Sequence, residues 1–267
     1  MIKMPVLEVD DVSAGYGESI VIKGMSLELE RGELMGIVGP NGSGKTTLFR
    51  TMTGLIRPRS GRVYLKGRDI RFIPRRTLAM GVSAVPQLQQ VVFPYLVADF
   101  ILMGRYAQRG RFWAPDKDDH VLLEHVIDLL DLARIRYHRV SSISGGELQR
   151  VILAQALIKE PEIMLLDEPT SHLDIKHQVS IMDILKNLVD VRKMACGIIL
   201  HDLNLAALYC DKIALVKDGA ISRMGRPDQV LREEYIKDVY ATDVLVRKGP
   251  IGSKPYVFLV PGIYKQD

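Results

Sequence analysis

Gly39-Pro40-Asn41-Gly42-Ser43-Gly44-Lys45-Thr46-Thr47 follows the apolar run Leu34-Met35-Gly36-Ile37-Val38 and leads into residues 45–53, which carry helical patterning with Gly54 as their stop. Strand, glycine-rich loop and helix, in that order, form the setting in which backbone N–H groups and a helix N-terminus face a phosphate. The glycines let the backbone wrap closely around the anion, because no Cβ intrudes. The Lys45 ammonium would reach the terminal phosphates, and the Thr46 hydroxyl would bind a small divalent cation. A glycine-rich turn with an incidental lysine is the alternative, and the flanking strand and helix argue against it.

Working outward, Ile163-Met164-Leu165-Leu166 is a buried strand that ends in two carboxylates, Asp167 and Glu168. Acids often end a strand simply because they are solvated there. Beside the phosphate loop they gain a chemistry: Asp167 would hold Mg²⁺ through its water shell, and Glu168 would orient or deprotonate an attacking water. A second phosphate-ready helix start lies at Ser144-Gly145-Gly146-Glu147-Leu148-Gln149-Arg150, with Ser144 near the N-cap and two glycines beside it. Most enzymes with a phosphate loop of the first kind have no such second site.

This second helix start resembles the signature motif of the ABC ATPases. The family most often has Leu before the Ser and Gln at the fifth position, where this chain has Ile143 and Glu147; the Glu form occurs among importer ATPases. Further motifs of the family follow in order between residues 16 and 201. Tyr16, in Gly15-Tyr16-Gly17, resembles the aromatic residue that stacks on adenine. Gln87 resembles the glutamine that touches Mg²⁺ and the lytic water. Ser171-His172-Leu173-Asp174 resembles the D-loop, and His201 the switch histidine that contacts the γ-phosphate. Each is weak alone, since a lone Tyr, Gln or His is more often packing or surface.

The resemblance implies ATP and Mg²⁺ as ligands and a homodimer as the working unit. Lys45, Thr46, Asp167 and Glu168 would act on the nucleotide bound to their own chain, together with Gln87 and His201. Ser144 and Gly146 of the signature, with Gly145 and Glu147 beside them, would meet the γ-phosphate of the nucleotide bound to the other copy, and Asp174 of the D-loop would be a further nucleotide-binding residue. ATP then supplies the negative charge that joins two basic, glycine-lined surfaces, and hydrolysis removes it.

Leu102-Met103-Gly104-Arg105-Tyr106, Leu166 to Asp174 with Gln178 after it, and His201-Asp202-Leu203-Asn204-Leu205-Ala206-Ala207 most resemble the importer ATPases for iron–siderophore complexes, haem and cobalamin. Some molybdate and tungstate importers share the pattern. The implied partners are membrane permease subunits, two of them, and through them an extracytoplasmic substrate-binding protein. The implied place is the cytoplasmic face of the cell membrane, as a peripheral subunit. Two rival readings are an importer ATPase for free zinc or manganese ions and a soluble ABC ATPase of cofactor assembly.

Composition agrees with a folded, non-spanning chain. No stretch of the 267 residues approaches the roughly 18 apolar residues a membrane helix needs, so another chain would form any pore. The net charge of +4 suits a polyanionic ligand or an anionic membrane surface, or is an ordinary solvated surface. Cys196 and Cys210 lack metal-ligand spacing and read as core thiols. His120, His125, His138, His172 and His177 form no metal constellation. Residues 6–12 and 19–30 read as strands, 163–166, 196–200 and 213–216 as buried strands, 121–132, 147–158 and 179–191 as helices, and 244–260 as a hairpin turning at Gly249, Pro250 and Gly252. Basic residues among Tyr106, Phe112 and Trp113 in residues 105–117 could stack nucleic acid, form a loop or meet a partner; we expect no nucleic acid. The expected fold is α/β: a P-loop NTPase core with a mostly parallel sheet, an N-terminal antiparallel β subdomain and an inserted α-helical subdomain at about 88–158, within one domain, 1–267.

Overall fold

The computed structural model describes residues 4–87, 94–109, 114–171, 173–250 and 252–261. In chain order, β1 (Leu7–Tyr16) and β2 (Ser19–Leu29) form a hairpin, β3 (Leu34–Val38) runs through the glycine loop into α1 (Lys45–Met52), and β4 (Ser60–Leu65) and β5 (Arg68–Asp69) return to β1. Together β2-β1-β4-β5 make an antiparallel sheet. Leu7, Val9, Val12 and Ala14 of β1 point inward while their neighbours face out, the alternation expected of a sheet with one wet face.

Helix α2 (Arg75–Gly81) then leads to β6 (Val82–Val85). A helical stretch follows: α3 (Val97–Leu102), α4 (Tyr106–Arg109), α5 (Lys117–Leu129) and α6 (Gly145–Leu157). The chain re-enters the core at β7 (Ile163–Asp167), then continues through α7 (Ile175–Arg192), β8 (Ala195–Ile199), α8 (Leu203–Tyr209), β9 (Lys212–Lys217) and β10 (Ala220–Gly225). It ends in α9 (Pro227–Val230), α10 (Glu233–Tyr240) and a hairpin of β11 (Val244–Lys248) with β12 (Pro255–Leu259).

The central sheet runs β10-β9-β3-β8-β7-β6, parallel throughout except for β10, which pairs antiparallel with β9. Its strands are continuous apolar runs because both faces are covered. Leu34 and Val38 of β3, Met164 and Leu166 of β7, and Cys196 and Ile198 of β8 join one core with the helical stretch and the C-terminal segment. Met35 and Ile37, Ile163 and Leu165, and Ala195 and Ile199 join the other, with α1 and the antiparallel sheet. The two glycine-flanked helix starts thus hang from one rigid layer.

The bounds of the expected elements differ from the observed ones by a residue or a few in either direction; where an element begins earlier, as α5, α6 and α7 do, its polar first turn lies outside the apolar run that marks its buried middle. α7, expected over 179–191, begins at Ile175 behind the N-cap Asp174. β4, β5, β6, β10, α2, α3, α4, α8, α9 and α10 had no counterpart of their own in the sequence reading; most are too short for a periodicity to emerge. Gly54 does follow the C-cap of α1, at φ 73°.

The basic–aromatic stretch divides. Phe112 and Trp113 lie outside the described residues. Arg105 and Arg109 turn inward onto Asp119 of α5, at 3.0 and 3.2 Å, and Arg109 also meets Asp116 at 2.9 Å. These two guanidinium groups hold α4 to α5. Among the described residues no helix is long and apolar enough to cross a membrane. Cys196 and Cys210 are buried and unbridged, and burial pushes both thiols up, Cys210 to about 12.

Candidate active site

The loop after β3 is shaped by two glycines that no other residue could replace. Gly39 has a φ of 156°, and a Cβ there would lie 2.2 Å from the Val216 carbonyl oxygen; Gly44, at φ 102°, caps α1 with Ile22 only 2.8 Å from where its Cβ would stand. Lys45 is 5% exposed, and its ammonium donates to the carbonyls of Gly39 and Pro40, each at 2.8 Å. Burial holds its pKa below the ordinary lysine value, against the pull of Glu168 and Asp167. The Ser43 hydroxyl is buried and has no hydrogen-bond partner among the described residues, a polar atom left for an incoming anion.

Strand β7 delivers the two acids to the same place. Thr46 Oγ1 stands 3.4 Å from Asp167 Oδ1. Asp167 is 2% exposed, and burial raises its carboxyl pKa; the Thr46 hydroxyl opposes the rise and the Glu168 charge adds to it. Thr46 and Asp167 offer one hydroxyl and one carboxylate, both hard oxygens. That donor set fits Mg²⁺, which prefers few protein ligands and fills its octahedron with water and phosphate oxygens. Among the described residues no group of three or more His, Cys, Asp or Glu could hold a metal by itself.

Glu168 has left the strand conformation, with φ 54°. That left-handed turn is reinforced by Ser171, whose backbone N–H and hydroxyl both donate to the Glu168 carbonyl. It aims the side chain between two loops. Gln87, at the end of β6, donates through Nε2 to Glu168 Oε2 at 2.9 Å, and His201 Nε2, just past β8, lies 2.5 Å from Glu168 Oε1. A cleft of about 550 Å³ opens here, lined by Asn41, Gly42, Gly44, Lys45, Thr46 and Thr47 on one side and Gln87, Glu168 and His201 on the other. Strand ends, loop glycines and one helix N-terminus therefore bring backbone N–H groups, an ammonium and two carboxylates together around one volume, an arrangement able to hold a phosphate beside a general base.

Other residues singled out in the sequence stand elsewhere. Tyr16 ends β1 with its ring 45% exposed; Arg50 of α1 donates to its hydroxyl at 2.9 Å and places its guanidinium 5.9 Å from the ring centre. Arg50 escaped the sequence reading, although its position in the last turn of the helix after the phosphate loop could have flagged it. Ser144 caps α6: its Oγ accepts from the Glu147 N–H at 3.3 Å, and its own N–H and hydroxyl donate to Glu147 Oε2 at 2.8 and 2.7 Å. The Ser144 backbone N–H and then its hydroxyl hold the Glu147 carboxyl below the usual range. Gly145 leaves open space where a side chain would be, and a Cβ on Gly146 would touch Leu173 at 3.3 Å. Asp174 caps α7, accepting from the His177 N–H at 2.9 Å. None of Tyr16, Ser144, Gly145, Gly146, Glu147 and Asp174 lines the cleft of its own chain.

Two of the remaining histidines have partners: His177 pairs with Asp174, and His125 with Arg192 at 3.0 Å. His172 lies outside the described residues.

Residues 22–171 match the family described as "ABC transporter". The chain is 30% identical to the petrobactin import ATP-binding protein FpuD of Bacillus anthracis, over 93% of this chain and 91% of that one. It is 34% identical to the cobalamin import ATP-binding protein BtuD of Halobacterium salinarum, over 91% of this chain and 61% of that one. It likewise spans 58% of the ABC transporter ATP-binding protein YvrA of Bacillus subtilis. The fold superposes with a TM-score of 0.82 on a chain from an inward-facing structure described as a metal-chelate type ABC transporter, at 24% identity, covering 97% of this chain and 98% of that one. A TM-score of 0.71 at 28% identity, over 82% of this chain and 98% of that one, relates it to the ATP-binding cassette MJ0796, solved as a dimer in a post-hydrolysis state bound to ADP and Pi.

Proposed function

The chain belongs to the ABC transporter family as an ATP-binding, ATP-hydrolysing subunit, and from that premise we propose that it energises the import of a metal chelate or metal-containing cofactor. The substrate class is an iron–siderophore complex, haem or cobalamin, with molybdate or tungstate in the same range. The names of FpuD and BtuD support it. The subunit would work as a homodimer on two permease chains at the cytoplasmic face, served from outside by a substrate-binding protein.

One observation carries the chemical part: the Glu168 carboxylate, held between Gln87 and His201, faces Lys45 and Thr46 across a single cleft. Lys45, the loop N–H groups from Asn41 to Thr47 and the Ser43 hydroxyl bind and orient the phosphates. Mg²⁺, held at Thr46 and Asp167 with Gln87 nearby, supplies charge neutralisation when bound. Glu168 accepts the proton of the attacking water, and Gln87 helps place that water. His201 Nε2 now faces Glu168, so an arriving γ-phosphate competes for the same imidazole. The half-exposed Tyr16 ring would stack on adenine, with Arg50 steadying its hydroxyl.

Ser144, Gly145, Gly146 and Glu147, with Asp174, serve the other copy's nucleotide, which accounts for their lying outside the cleft of their own chain. At the α6 N-terminus the capping box takes the Ser144 and Glu147 N–H groups, so the N–H groups of Gly145 and Gly146 would be the ones to meet an anion. The segment from about 88 to 158 is the inserted helical subdomain, within one domain.

The test is to tag Glu168→Gln in full-length protein, express it in native cells and solubilise membranes with ATP and Mg²⁺. A polytopic membrane protein in equal amount is the expected companion, and ATP should drive the purified variant into dimers in gel filtration. Soluble assembly factors without a membrane protein would overturn the transport reading and favour cofactor assembly. A permease whose binding protein takes bare zinc or manganese would overturn the chelate reading alone.

A further inference from the structure

The segment His201-Asp202-Leu203-Asn204 does more than present an imidazole. Helix α8 starts two residues after His201, and it is only seven residues long. So short a helix has little stability of its own, and outside contacts decide where it lies. At its start, Asp202 caps it, accepting from the N–H groups of Asn204 and Leu205 at 2.7 and 3.1 Å. Along one flank, Ala206 and Ala207 pack into the core against β3.

The other flank is held by the C-terminal hairpin. The Asn204 amide donates through Nδ2 to the Val257 carbonyl at 3.1 Å and accepts the Val257 N–H through Oδ1 at 2.8 Å. One side chain thus meets both polar groups of a strand residue 53 positions away, as a neighbouring strand would. At the far end of the helix the Lys254 ammonium donates to the Leu208 carbonyl. The hairpin is anchored in turn to α10, where Glu233 Oε1 accepts the Val246 N–H at 2.8 Å and pairs with Arg247 at 2.9 Å. Val244 and Val257 close the contact by joining the core.

We propose that the β11–β12 hairpin is a brace for α8, and that Asn204 is a positioning residue that sets where the His201 imidazole stands relative to Glu168. Asn204 acts three residues from His201, within the turn that Asp202 caps. The proposal rests on His201 being the phosphate-facing group of the cleft. It gives a task to the tail, which lies outside every phosphate-binding element, and to an asparagine that reaches no part of the cleft. A reacting group misplaced by about 1 Å can cost roughly 100-fold in rate, so loosening α8 should appear in turnover before it appears in nucleotide affinity.

The test compares full-length wild type with Asn204→Leu, Asn204→Asp and Lys254→Met. Asn204→Leu keeps the volume and removes both bonds, Asn204→Asp keeps the acceptor for the Val257 N–H, and Lys254→Met frees the opposite end of α8. Two quantities are read: steady-state ATP hydrolysis, and the ring C–H resonance of His201, assigned by its loss in His201→Gln. Asn204→Leu should lower kcat about 10- to 100-fold with the KM for ATP unchanged, and shift and broaden the His201 resonance. Asn204→Asp should fall between it and wild type, and Lys254→Met should move both readouts in the same direction. An unmoved resonance with unchanged kcat, even in a less stable variant, would reduce the hairpin to plain packing and overturn the proposal; so would a rise in KM alone. If Asn204→Leu does not fold, the other two variants decide. Turnover retained in His201→Gln would remove the reading of His201 itself, and the resonance alone would then judge the brace.

Discussion

Glu168 occupies the left-handed region at φ 54°, where an ordinary side chain costs about 1–2 kcal/mol relative to an extended or helical backbone. The turn places its carboxylate between Gln87 and His201 instead of along the strand direction of Asp167. Neutralising it relieves the charge that disfavours an ionised Asp167 but also removes a carboxylate that favours the Lys45 ammonium and meets His201, so the two effects on the fold oppose each other. We expect Glu168→Gln to lower ATP turnover at least 100-fold while its thermal midpoint changes little; a clear fall in midpoint would mean that the carboxylate is structural. Lys45 is the converse case. Its ammonium is kept by two backbone carbonyls, a place a phosphate can take over. With charged hydrogen bonds contributing about 1.5–3 kcal/mol each, Lys45→Ala should weaken ATP binding by roughly 10- to 100-fold in calorimetric titration. Residue types and spacings sufficed to name Lys45, Asp167 and Glu168 from the sequence. The left-handed turn at Glu168 and the Arg50–Tyr16 contact did not emerge from it, because each depends on a dihedral angle or on a neighbour that spacing does not encode; the Ser144–Glu147 capping box is written in the Ser-x-x-Glu spacing, of which only the N-cap Ser144 was read.

Among the elements, α5 shows why a string of charges misleads when read linearly. Arg105 and Arg109 look like a surface for a polyanion, yet both guanidinium groups close on Asp119, which has no exposed surface at all. Burial works to raise the Asp119 carboxyl, but the Asp116 N–H and the Arg105 and Arg109 guanidinium groups prevail and hold it at about 2. The ordinary aspartate value, 3.8, applies to the unfolded chain. A carboxyl depressed in the fold stabilises fully above the unfolded value and loses that contribution as pH falls through the folded one. The α4–α5 contact should therefore loosen between about pH 4 and pH 2, and acid titration followed by circular dichroism should show it. Asp119→Asn keeps one acceptor oxygen but removes the buried negative charge that Arg105 and Arg109 share, leaving Arg109 with Asp116 as its anionic partner among the described residues, and should cost about 3 kcal/mol at neutral pH. A variant as stable as wild type, with the same acid profile, would show that the arginines find water as readily as Asp119. The helical period of α5 and α6 was legible because each spans three or more turns; α3 and α4 are too short to display one, and the anchor of α4 is an aspartate ten residues beyond Arg109.

At the scale of the molecule, the decisive fact is how the two cores divide the chain. One face of the central sheet packs on α1 and the antiparallel β2-β1-β4-β5 layer. The other carries, in one continuous cluster, Val97 and Ile101 of α3, Ile127 of α5, Val151 of α6, Leu185 of α7, and Val244 and Val257 of the hairpin. The helical stretch between β6 and β7 therefore has no core of its own: its apolar faces are completed by Val85, Leu166 and their neighbours at the sheet. The sequence marked this stretch as an insertion by its change from alternating to helical pattern, but pattern alone cannot tell an insertion that folds by itself from one that shares its host's core. A segment that shares the core loses its burial when the sheet melts, and the sheet face loses burial when the segment does. Apolar burial stabilises by roughly 25 cal/mol per Å², so neither side can open alone without exposing the other. We expect full-length protein to unfold in one calorimetric transition, and the isolated segment 94–159 to remain unfolded in solution. Two separate transitions, or a cooperatively folded fragment, would mean that the helices form an independent body, and that motion at the signature helix α6 could reach Asp167 and Glu168 only through the loops that join them.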